Sequence, residues 1–304
     1  MSISKYIKII GRGKEGARPL SREDAADLFG QVLDGNVTDL EVGGFCLAMR
    51  IKGETPEEMA GFLDATHQRM NRFPAGSQLG KPIVVLPTYN GARKLPVLTP
   101  LLALLLAQRG LSVLVHGTPT ESSRVFTSEV LLALNIPAQT AIKSIVPGEV
   151  VFAPTELLLP ALKRLLDVRR AVGLRNPAHS LVKIMNPCQG KALVVSSYTH
   201  PEYAVSMGQT FELIKANALL LRGTEGEVVA DPRRLPHMEA FIAGIRQPPR
   251  SAQTGTLANL PELPKSTEAT STAAYIRAVV AGEQAVPIPI ALQVEYILQV
   301  ASAL

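Results

Sequence analysis

Short apolar runs that alternate with helical patterns constrain the fold of this chain more than any other feature. Residues 82–86 form an apolar run bounded by prolines, a helical pattern follows at 98–109, and a second apolar run occupies 111–115. Runs of this length are typical of strands buried on both faces. The order strand, helix, strand predicts a parallel crossover unit with two adjacent parallel strands. Further strands are predicted at 150–152, 192–197 and 218–221, and further helices at 125–134, 155–170, 201–216, 268–281 and 290–303.

The first 72 residues predict helices. Ser21 and Asp39 are suitable caps for two of them, and Thr55 opens the clearest helix start in the chain. There Pro56 occupies the first helical position and Glu58 completes a capping box. The whole sequence therefore predicts an α/β protein, in which a small all-helical domain precedes a larger α/β domain with a central, mostly parallel sheet. The expected bounds are 1–72 for the helical domain, joined by helices near 160–188, and 73–159 with 189–304 for the α/β domain.

Composition excludes several classes of protein. With 46% hydrophobic and 19% charged residues among 304, the chain is not mainly disordered. Its two cysteines, Cys46 and Cys188, exclude a disulfide framework and a four-thiolate zinc site. The longest apolar stretch, 95–108, is too short for a membrane span of about 20 residues. Because the N-terminus has no signal-peptide pattern, we expect a cytoplasmic location and no membrane partner.

Positive charge is concentrated in two segments of the chain. Residues 1–20 carry five basic and one acidic side chain, and residues 81–200 carry thirteen and five, whereas acidic side chains are in excess elsewhere. Such asymmetry predicts an anionic partner. Charge alone leaves open whether that partner is a nucleic acid, a phosphorylated metabolite or a membrane surface.

Two loops that follow predicted strands carry candidate anion-binding groups. In an open parallel sheet, ligands bind beyond the carboxyl ends of the strands. The first loop makes an Asn90-Gly91 turn before Arg93 and Lys94, whose cations suit phosphate oxygens. The second loop contains His116, Gly117, Ser122 and Ser123. Its serines either help to hold an anion at a helix N-terminus or only cap that helix, and its histidine is more typical of a structural residue than of a general base.

Charged side chains also cluster at a helix end and at a later turn. Arg169, Arg170 and Arg175 lie where a predicted helix ends, and three guanidinium groups exceed what the helix dipole requires, which favours anion binding. Glu225 and Glu227 follow a predicted strand and could in principle bind magnesium. Their alternation directs them to opposite sides of an extended backbone, so no paired metal site is predicted. The sequence contains no Walker loop, dinucleotide fingerprint or nucleophile elbow, and no catalytic residue is assigned.

Taken in chain order, these segments resemble the anthranilate phosphoribosyltransferase family, a glycosyltransferase family 3 group that shares its fold with the pyrimidine nucleoside phosphorylases. The similar segments are residues 40–58, Val115-His116-Gly117, Ser122-Ser123, residues 169–175, His200-Pro201-Glu202-Tyr203 and residues 222–226. The resemblance covers nearly the whole chain. It implies a homodimer formed through the N-terminal helical domain, and phosphate-binding positions at Asn90, Gly91, His116, Gly117, Ser122 and Ser123.

The chain departs from the family pattern at two places that matter for transfer chemistry. The family's phosphate loop reads G-T-G-G-D, whereas residues 88–92 read Thr-Tyr-Asn-Gly-Ala, which adds side chains where the backbone must approach the phosphates. The family's magnesium ligands are an adjacent Asp-Glu pair, but here Glu227 is followed by Val228 and Val229. Both changes predict a weakened transfer, and we expect that the chain is not an active anthranilate phosphoribosyltransferase.

The residues gained in these segments are basic, and they lead to the main interpretation. Residues 10–14 and 89–94 look like a YbiB-type branch of the family, whose members are described as nucleic-acid-binding proteins. We therefore predict a nucleic-acid (DNA) binding protein without a cofactor, which holds backbone phosphates in basic grooves with little sequence specificity. The predicted contacts are Arg12, Lys14, Arg18, Arg93, Lys94, Arg169, Arg170 and Arg175.

The alternative interpretation is a phosphoribosyltransferase that acts on an unidentified aromatic amine or base. The retained His116-Gly117, Ser122-Ser123 and Arg169-Arg170 segments support it, whereas the altered phosphate loop and the missing acidic pair oppose it. Magnesium is expected only under this alternative.

Overall fold

The N-terminal part of this computed structural model is a helical domain. The structure describes residues 2–13, 15–75, 80–255, 257 and 260–304. The first helices are α1 (Ser4–Ile10), α2 (Arg22–Leu33), α3 (Asp39–Lys52) and α4 (Pro56–Arg69). The predicted caps Ser21 and Thr55 are confirmed, because their side chains accept hydrogen bonds from Asp24 N and Glu58 N. Asp39 is instead the first residue of α3, and Thr38 caps that helix in a capping box with Glu41.

Aromatic packing and one buried ion pair hold this helical domain together. Phe29 and Phe62 stack with ring centroids 4.7 Å apart, and Phe45 packs edge-on against both. Beside this core, the fully buried Glu58 carboxylate accepts hydrogen bonds from Lys52 Nζ at 2.6 Å and from Leu20 N at 2.9 Å. The capping glutamate of α4 therefore also fixes the end of α3 and the segment that leads into α2.

The larger domain is built on a mostly parallel sheet. Strands β1 (Ile83–Thr88), β2 (Val113–Gly117), β3 (Val150–Pro154), β4 (Ala192–Tyr198) and β5 (Ala218–Arg222) run parallel, and β6 (Met238–Ile242) and β7 (Ile245–Arg246) add an antiparallel edge. The strand order is β3-β2-β1-β4-β5-β6-β7. The predicted parallel neighbours β1 and β2 are confirmed, with Val84 opposite Val113. The fold class predicted from the sequence, a helical domain followed by an α/β domain, is confirmed as well.

Helices cover both faces of the sheet. They are α5 (Thr99–Gln108), α6 (Thr127–Ala133), α7 (Thr155–Leu158), α8 (Pro160–Val172), α9 (Ala178–Leu181), α10 (Pro201–Leu213), α11 (Ala269–Val280) and α12 (Ile288–Ser302). One face packs with α5, α11 and α12. The other face shares a continuous apolar core with the N-terminal helices. There α8 contacts α2, and α9 contacts α4. None of the helices in the described part of the chain combines the length and the apolar character needed to cross a bilayer.

Two helix predictions differ from the structure. The helix expected over 155–170 is divided into α7 and α8, because Pro160 lacks the N–H that would continue the first helix. The helix expected to start at 125 begins at Thr127, and Phe126 is its cap residue. The Phe126 N–H donates a hydrogen bond to the Glu129 side chain. The serines at 122 and 123 therefore do not cap α6.

We expect Glu58→Ala to destabilise the protein by about 3–5 kcal/mol, because it removes one partner of a buried ion pair and the capping interaction with Thr55. The neighbouring Glu57 is exposed, and Glu57→Ala, the matched control, should change the free energy of unfolding by no more than about 0.5 kcal/mol. Urea unfolding of the three proteins measures both values. Equal stabilities of the two variants would contradict the role given to Glu58.

Candidate functional site

The carboxyl ends of β1, β4 and β5 meet where the strand order of the sheet reverses. From β1 the chain proceeds through β2 to β3 on one side, and it then returns to β4 and β5 on the other side. Ligands of open α/β sheets bind outside the strand ends at such a switch point. The loop that follows β1 and the turn that follows β5 lie together at this place, so the topology directs attention to residues 88–95 and 223–227.

Backbone N–H groups of the β1 loop form an anion-binding surface, which we call the amide cradle. Its donors are the N–H groups of Asn90, Gly91, Arg93, Lys94 and Leu95. Successive backbone N–H groups in a turn suit phosphate or carboxylate oxygens. The loop has thus kept backbone donors even though it lost most of the family's glycines.

The Glu227 carboxylate lies in the first part of the amide cradle. Its Oε1 accepts hydrogen bonds from Asn90 N and Gly91 N, both at 2.8 Å. Its Oε2 accepts from the hydroxyls of Thr99, at 3.2 Å, and Thr88. The residue is 2% exposed, so hydrogen bonds from these four donors replace those that water would make to its carboxylate.

The Glu225 carboxylate lies in the second part of the cradle. Its Oε2 accepts hydrogen bonds from Arg93 N at 2.8 Å, Lys94 N at 3.1 Å and Leu95 N at 3.4 Å. Glu225 has φ 52°, in the left-handed region that side chains other than glycine rarely adopt. The sequence prediction that the two glutamates diverge is therefore wrong: they lie in one turn and face the same loop.

The turn and the loop fit closely against each other. A Cβ on Gly226 would lie 1.7 Å from Asn90 Nδ2, and a Cβ on Gly223 would lie 1.6 Å from Glu227 O. The Asn90 side chain also donates to Glu225 O at 3.0 Å. Only glycine fits at positions 223 and 226 in this arrangement, so these two residues allow the carboxylates to reach the cradle.

The residues at this site do not fit the magnesium ion that the family implies. Both Glu227 oxygens are engaged by protein donors, and the following Val228 and Val229 are each 1% exposed and carry no ligand atoms. Across the residues that the structure describes, no group of three or more His, Cys, Asp or Glu side chains could hold a metal ion. We therefore derive no step through magnesium.

Tyr89 closes the space next to the cradle. Its hydroxyl lies 2.9 Å from His116 Nδ1 and 3.0 Å from Thr155 Oγ1. His116 is fully buried, and burial lowers its pKa to about 3, so the ring is neutral. A Cβ on Gly117 would lie 1.9 Å from Thr88 O, which shows close packing between β1 and β2. Of the positions that the resemblance assigned to phosphate, His116 and Gly117 are thus enclosed by protein, and only Asn90 and Gly91 lie in the cradle.

The predicted basic contacts are distributed over several surfaces. Arg12, Arg18, Arg93 and Lys94 are exposed, as are Ser122 and Ser123, and Lys14 lies outside the described residues. Arg18 donates to two nearby carbonyls, Glu15 O and Ala17 O. Arg169 pairs with Glu121 at 3.3 Å, and Arg170 pairs with Asp167 at 3.4 Å. The structure therefore gives two of the predicted contacts a carboxylate partner within the chain.

Arg175 lines a cleft of about 430 Å³ between the helical domain and the ends of β4 and α10. The neighbouring Arg124 and Arg169 both pair with Glu121, whereas no ion pair involves Arg175 among the described residues. Burial and the nearby cations Arg169 and Arg124 lower the pKa of Arg175. The guanidinium is thus half-buried and available to an anion in the cleft.

Sequence reasoning missed two further cleft residues, Lys183 and His179. Together with Arg175 they form one polar side of the cleft, which we call the polar wall. Burial lowers the pKa of Lys183 to about 8, and its Nζ donates to Gly226 O at 3.2 Å. His179 is 8% exposed; its Nδ1 lies 3.3 Å from the N, O and Oδ1 atoms of Asn176, and its Nε2 has no hydrogen-bond partner in the described structure. Both residues follow the arginine segment in a stretch with ordinary helical character, so no local signal marks them.

Comparisons with known proteins place this chain in a family. Residues 4–70 match the model described as the helical bundle domain of a glycosyl transferase family. Over 97% of its length the chain is 39% identical to the uncharacterized protein YbiB of Escherichia coli strain K12, of which it covers 92%. The chain belongs to the same family as YbiB. It is also 29% identical to an anthranilate phosphoribosyltransferase of Methanosarcina acetivorans, over 84% of this chain and 67% of that protein.

Solved structures show the same fold. The anthranilate phosphoribosyltransferase of Thermus thermophilus superposes with a TM-score of 0.75 at 22% identity, covering 98% of this chain and 89% of that one. The enzyme from Saccharomyces cerevisiae, solved in complex with PRPP and Mg, gives a TM-score of 0.70 at 13% identity, covering 99% and 89%. The anthranilate phosphoribosyltransferase-like fold predicted from the sequence is therefore confirmed.

These comparisons correct the main functional interpretation. The relatives above whose names state an activity are anthranilate phosphoribosyltransferases, and YbiB is named only as an uncharacterized protein. The prediction of a nucleic-acid-binding protein is therefore wrong, and the alternative, a phosphoribosyltransferase, agrees better with the relatives. The ion pairs of Arg169 and Arg170 also show that positive charge in the sequence was a poor guide to a shared binding surface.

The lowered pKa of Lys183 predicts a pH-dependent stability. In the unfolded chain this lysine binds its proton up to about pH 10.5, but in the folded protein only up to about pH 8. Because the unfolded state binds more protons between these values, the contribution of Lys183 to the free energy of unfolding should increase as the pH rises from 8 to 10.

Thermal or urea unfolding of Lys183→Met at pH 7, 8, 9 and 10 measures this effect. The variant should gain stability relative to the natural protein at pH 7 and lose that advantage by pH 10. Lys265→Met, at an exposed lysine, is the matched control and should show no such trend. A pH-independent difference between Lys183→Met and the natural protein would contradict the prediction.

Proposed function

We propose that the chain is a phosphoribosyltransferase that transfers a pentose phosphate to an anionic aromatic amine or base held in the cleft. The observation that carries the proposal is the polar wall of Arg175, Lys183 and His179 beside the end of β4, where neither Arg175 nor His179 Nε2 has a charged or hydrogen-bonding partner among the described residues. The fold shared with anthranilate phosphoribosyltransferases supports the same reaction class. That anthranilate itself is not the acceptor stays a prediction.

The cleft residues suit the two ends of such an acceptor. Arg175 offers a planar pair of N–H donors that matches a carboxylate. Burial lowers the pKa of His179 to about 4, so its ring is neutral near pH 7. With its proton on Nε2, which has no partner in the described structure, His179 supplies a second donor beside Arg175. These groups orient the acceptor so that its nitrogen faces the strand ends.

Lys183 occupies the border between the cleft and the amide cradle, since its Nζ contacts Gly226 O in the turn that carries both glutamates. In the transfer, the bond from the pentose C1 to the leaving diphosphate oxygen breaks, a bond from C1 to the acceptor nitrogen forms, and that nitrogen loses a proton. A lysine cation at this border stabilises negative charge that develops on the leaving group.

We expect Arg175→Ala to weaken acceptor binding at least about 10-fold, because a charge-assisted hydrogen bond contributes about 1.5–3 kcal/mol. Calorimetric titration with a panel of aromatic amines, aromatic carboxylates and nucleobases identifies a ligand, and the variant is then titrated with it. Arg234→Ala, at an exposed arginine outside the cleft, is the matched control and should bind like the natural protein. If no compound of the panel binds, or if Arg175→Ala binds equally well, the proposed function is wrong.

The proposal includes a homodimer that forms through the helical domain. Leu40, Leu47 and Ile51 of α3 are 86%, 45% and 62% exposed, an unusual amount of apolar surface for one helix. Leu47 and Ile51 also border a shallow apolar depression with Ile7 and Ile10 of α1. A two-fold axis would place the same patch of both copies in contact.

The substitution Ile51→Glu should shift the protein from dimer to monomer in light scattering at about 10 μM, since the dimer would bury an unpaired carboxylate. Leu260→Glu changes an equally exposed residue elsewhere and should leave the dimer intact. A natural protein that is monomeric at this concentration would contradict the assembly.

A further inference from the structure

We propose that Glu225 and Glu227 form an internal ligand, which fills the amide cradle and must leave before a phosphate group can bind there. The inference rests on the proposed function only for the identity of the displacing group, a phosphate of the pentose donor. It makes the natural protein a closed form, in which the turn 223–227 competes with the substrate for the same backbone donors.

The hydrogen-bond pattern of the cradle is the first support. All five backbone donors point to carboxylate oxygens of one turn, Asn90 N and Gly91 N to Glu227 and the remaining three to Glu225. Carboxylate and phosphate are recognised by backbone N–H groups in the same way. A phosphate can therefore take these donors only if it exchanges with a glutamate.

The conformation of the turn is the second support. Glu225 has φ 52° and ψ 20°, and a non-glycine residue in this region stores backbone strain. That strain opposes the contacts that Glu225 makes with the cradle and lowers the cost of its departure. Glu225 is also only half-buried, so its carboxylate can move into water, whereas Glu227 is enclosed. Opening is therefore expected to begin at Glu225.

Basic side chains beside the cradle are the third support. Arg93 and Lys94, whose N–H groups belong to the cradle, have exposed side chains, and no ion pair involves either of them in the described residues. Displacement of Glu225 would free three backbone donors in a loop that also carries two cations, a combination that suits a diphosphate.

The experiment measures binding of inorganic pyrophosphate by calorimetric titration, without acceptor or turnover. Glu225→Gly removes the carboxylate and frees three backbone donors, while glycine adopts this positive φ readily, so we expect it to bind pyrophosphate at least about 10-fold more tightly than the natural protein. Glu225→Asn, a second variant with a residue that tolerates this conformation, should bind more tightly as well. Thermal unfolding verifies that each variant is folded.

Glu283→Ala is the matched control, because it removes one negative charge from an exposed position far from the cradle in sequence and outside its hydrogen bonds. Unchanged pyrophosphate affinity in this control together with tighter binding in both Glu225 variants supports the internal ligand. If the folded Glu225 variants bind no more tightly than the natural protein, the two glutamates only brace the loop and the inference is overturned. The titration contains no acceptor, so a failed acceptor titration leaves the pyrophosphate result unaffected, and failure of the proposed function is distinguishable from failure of the cradle.

Discussion

The contact between the Glu227 carboxylate and the β1 loop determines how the rest of the site is arranged. Burying a carboxylate until it is 2% exposed costs folding free energy unless each of its oxygens is hydrogen-bonded. Here the loop after β1 supplies two backbone N–H groups, and Thr88 and Thr99 supply hydroxyls. The contact joins β1 and its loop to a turn that follows β5 far along the chain, and it fixes the ends of β1 and β5 on either side of β4.

The same contact explains how a transferase-like fold can carry an altered site. The scaffold agrees with anthranilate phosphoribosyltransferases over nearly its whole length, yet the metal-binding pair is replaced by buried valines and the phosphate loop is filled by glutamates. The cleft beside it is lined by Arg175, Lys183 and His179.

Local sequence was sufficient for most of the fold. The five parallel strands coincide with apolar runs that are buried on both faces, and the helix caps Ser21 and Thr55 carry their own signals. The strands β6 and β7 were missed because they are short, lie at the sheet edge and join through Ala243-Gly244, where alanine at φ 49° is not a usual turn residue. Such an edge depends on pairing with β5 more than on its own pattern.

The site was predicted less well than the fold, because its decisive contacts are distant in sequence. Glu225 was judged from the alternation of an extended chain, but a left-handed residue turns it toward the cradle. Positive charge was interpreted as one surface, although Arg169 and Arg170 have carboxylate partners and Arg175 lies in a cleft. Sequence alone shows which charges exist, whereas only the fold shows which of them are already neutralised.

The carbonyl of Gly226 has a consequence for the order in which ligands arrive. It accepts hydrogen bonds from Ser197 Oγ at 2.7 Å and from Lys183 Nζ at 3.2 Å, so one oxygen atom borders both the cleft and the turn. An anion that enters the cleft first and draws Lys183 toward itself removes one of these two bonds. The turn is then held less firmly, and the free-energy cost of its displacement falls. Occupancy of the cleft and opening of the cradle would thus be thermodynamically linked, so that the first ligand facilitates the entry of the second.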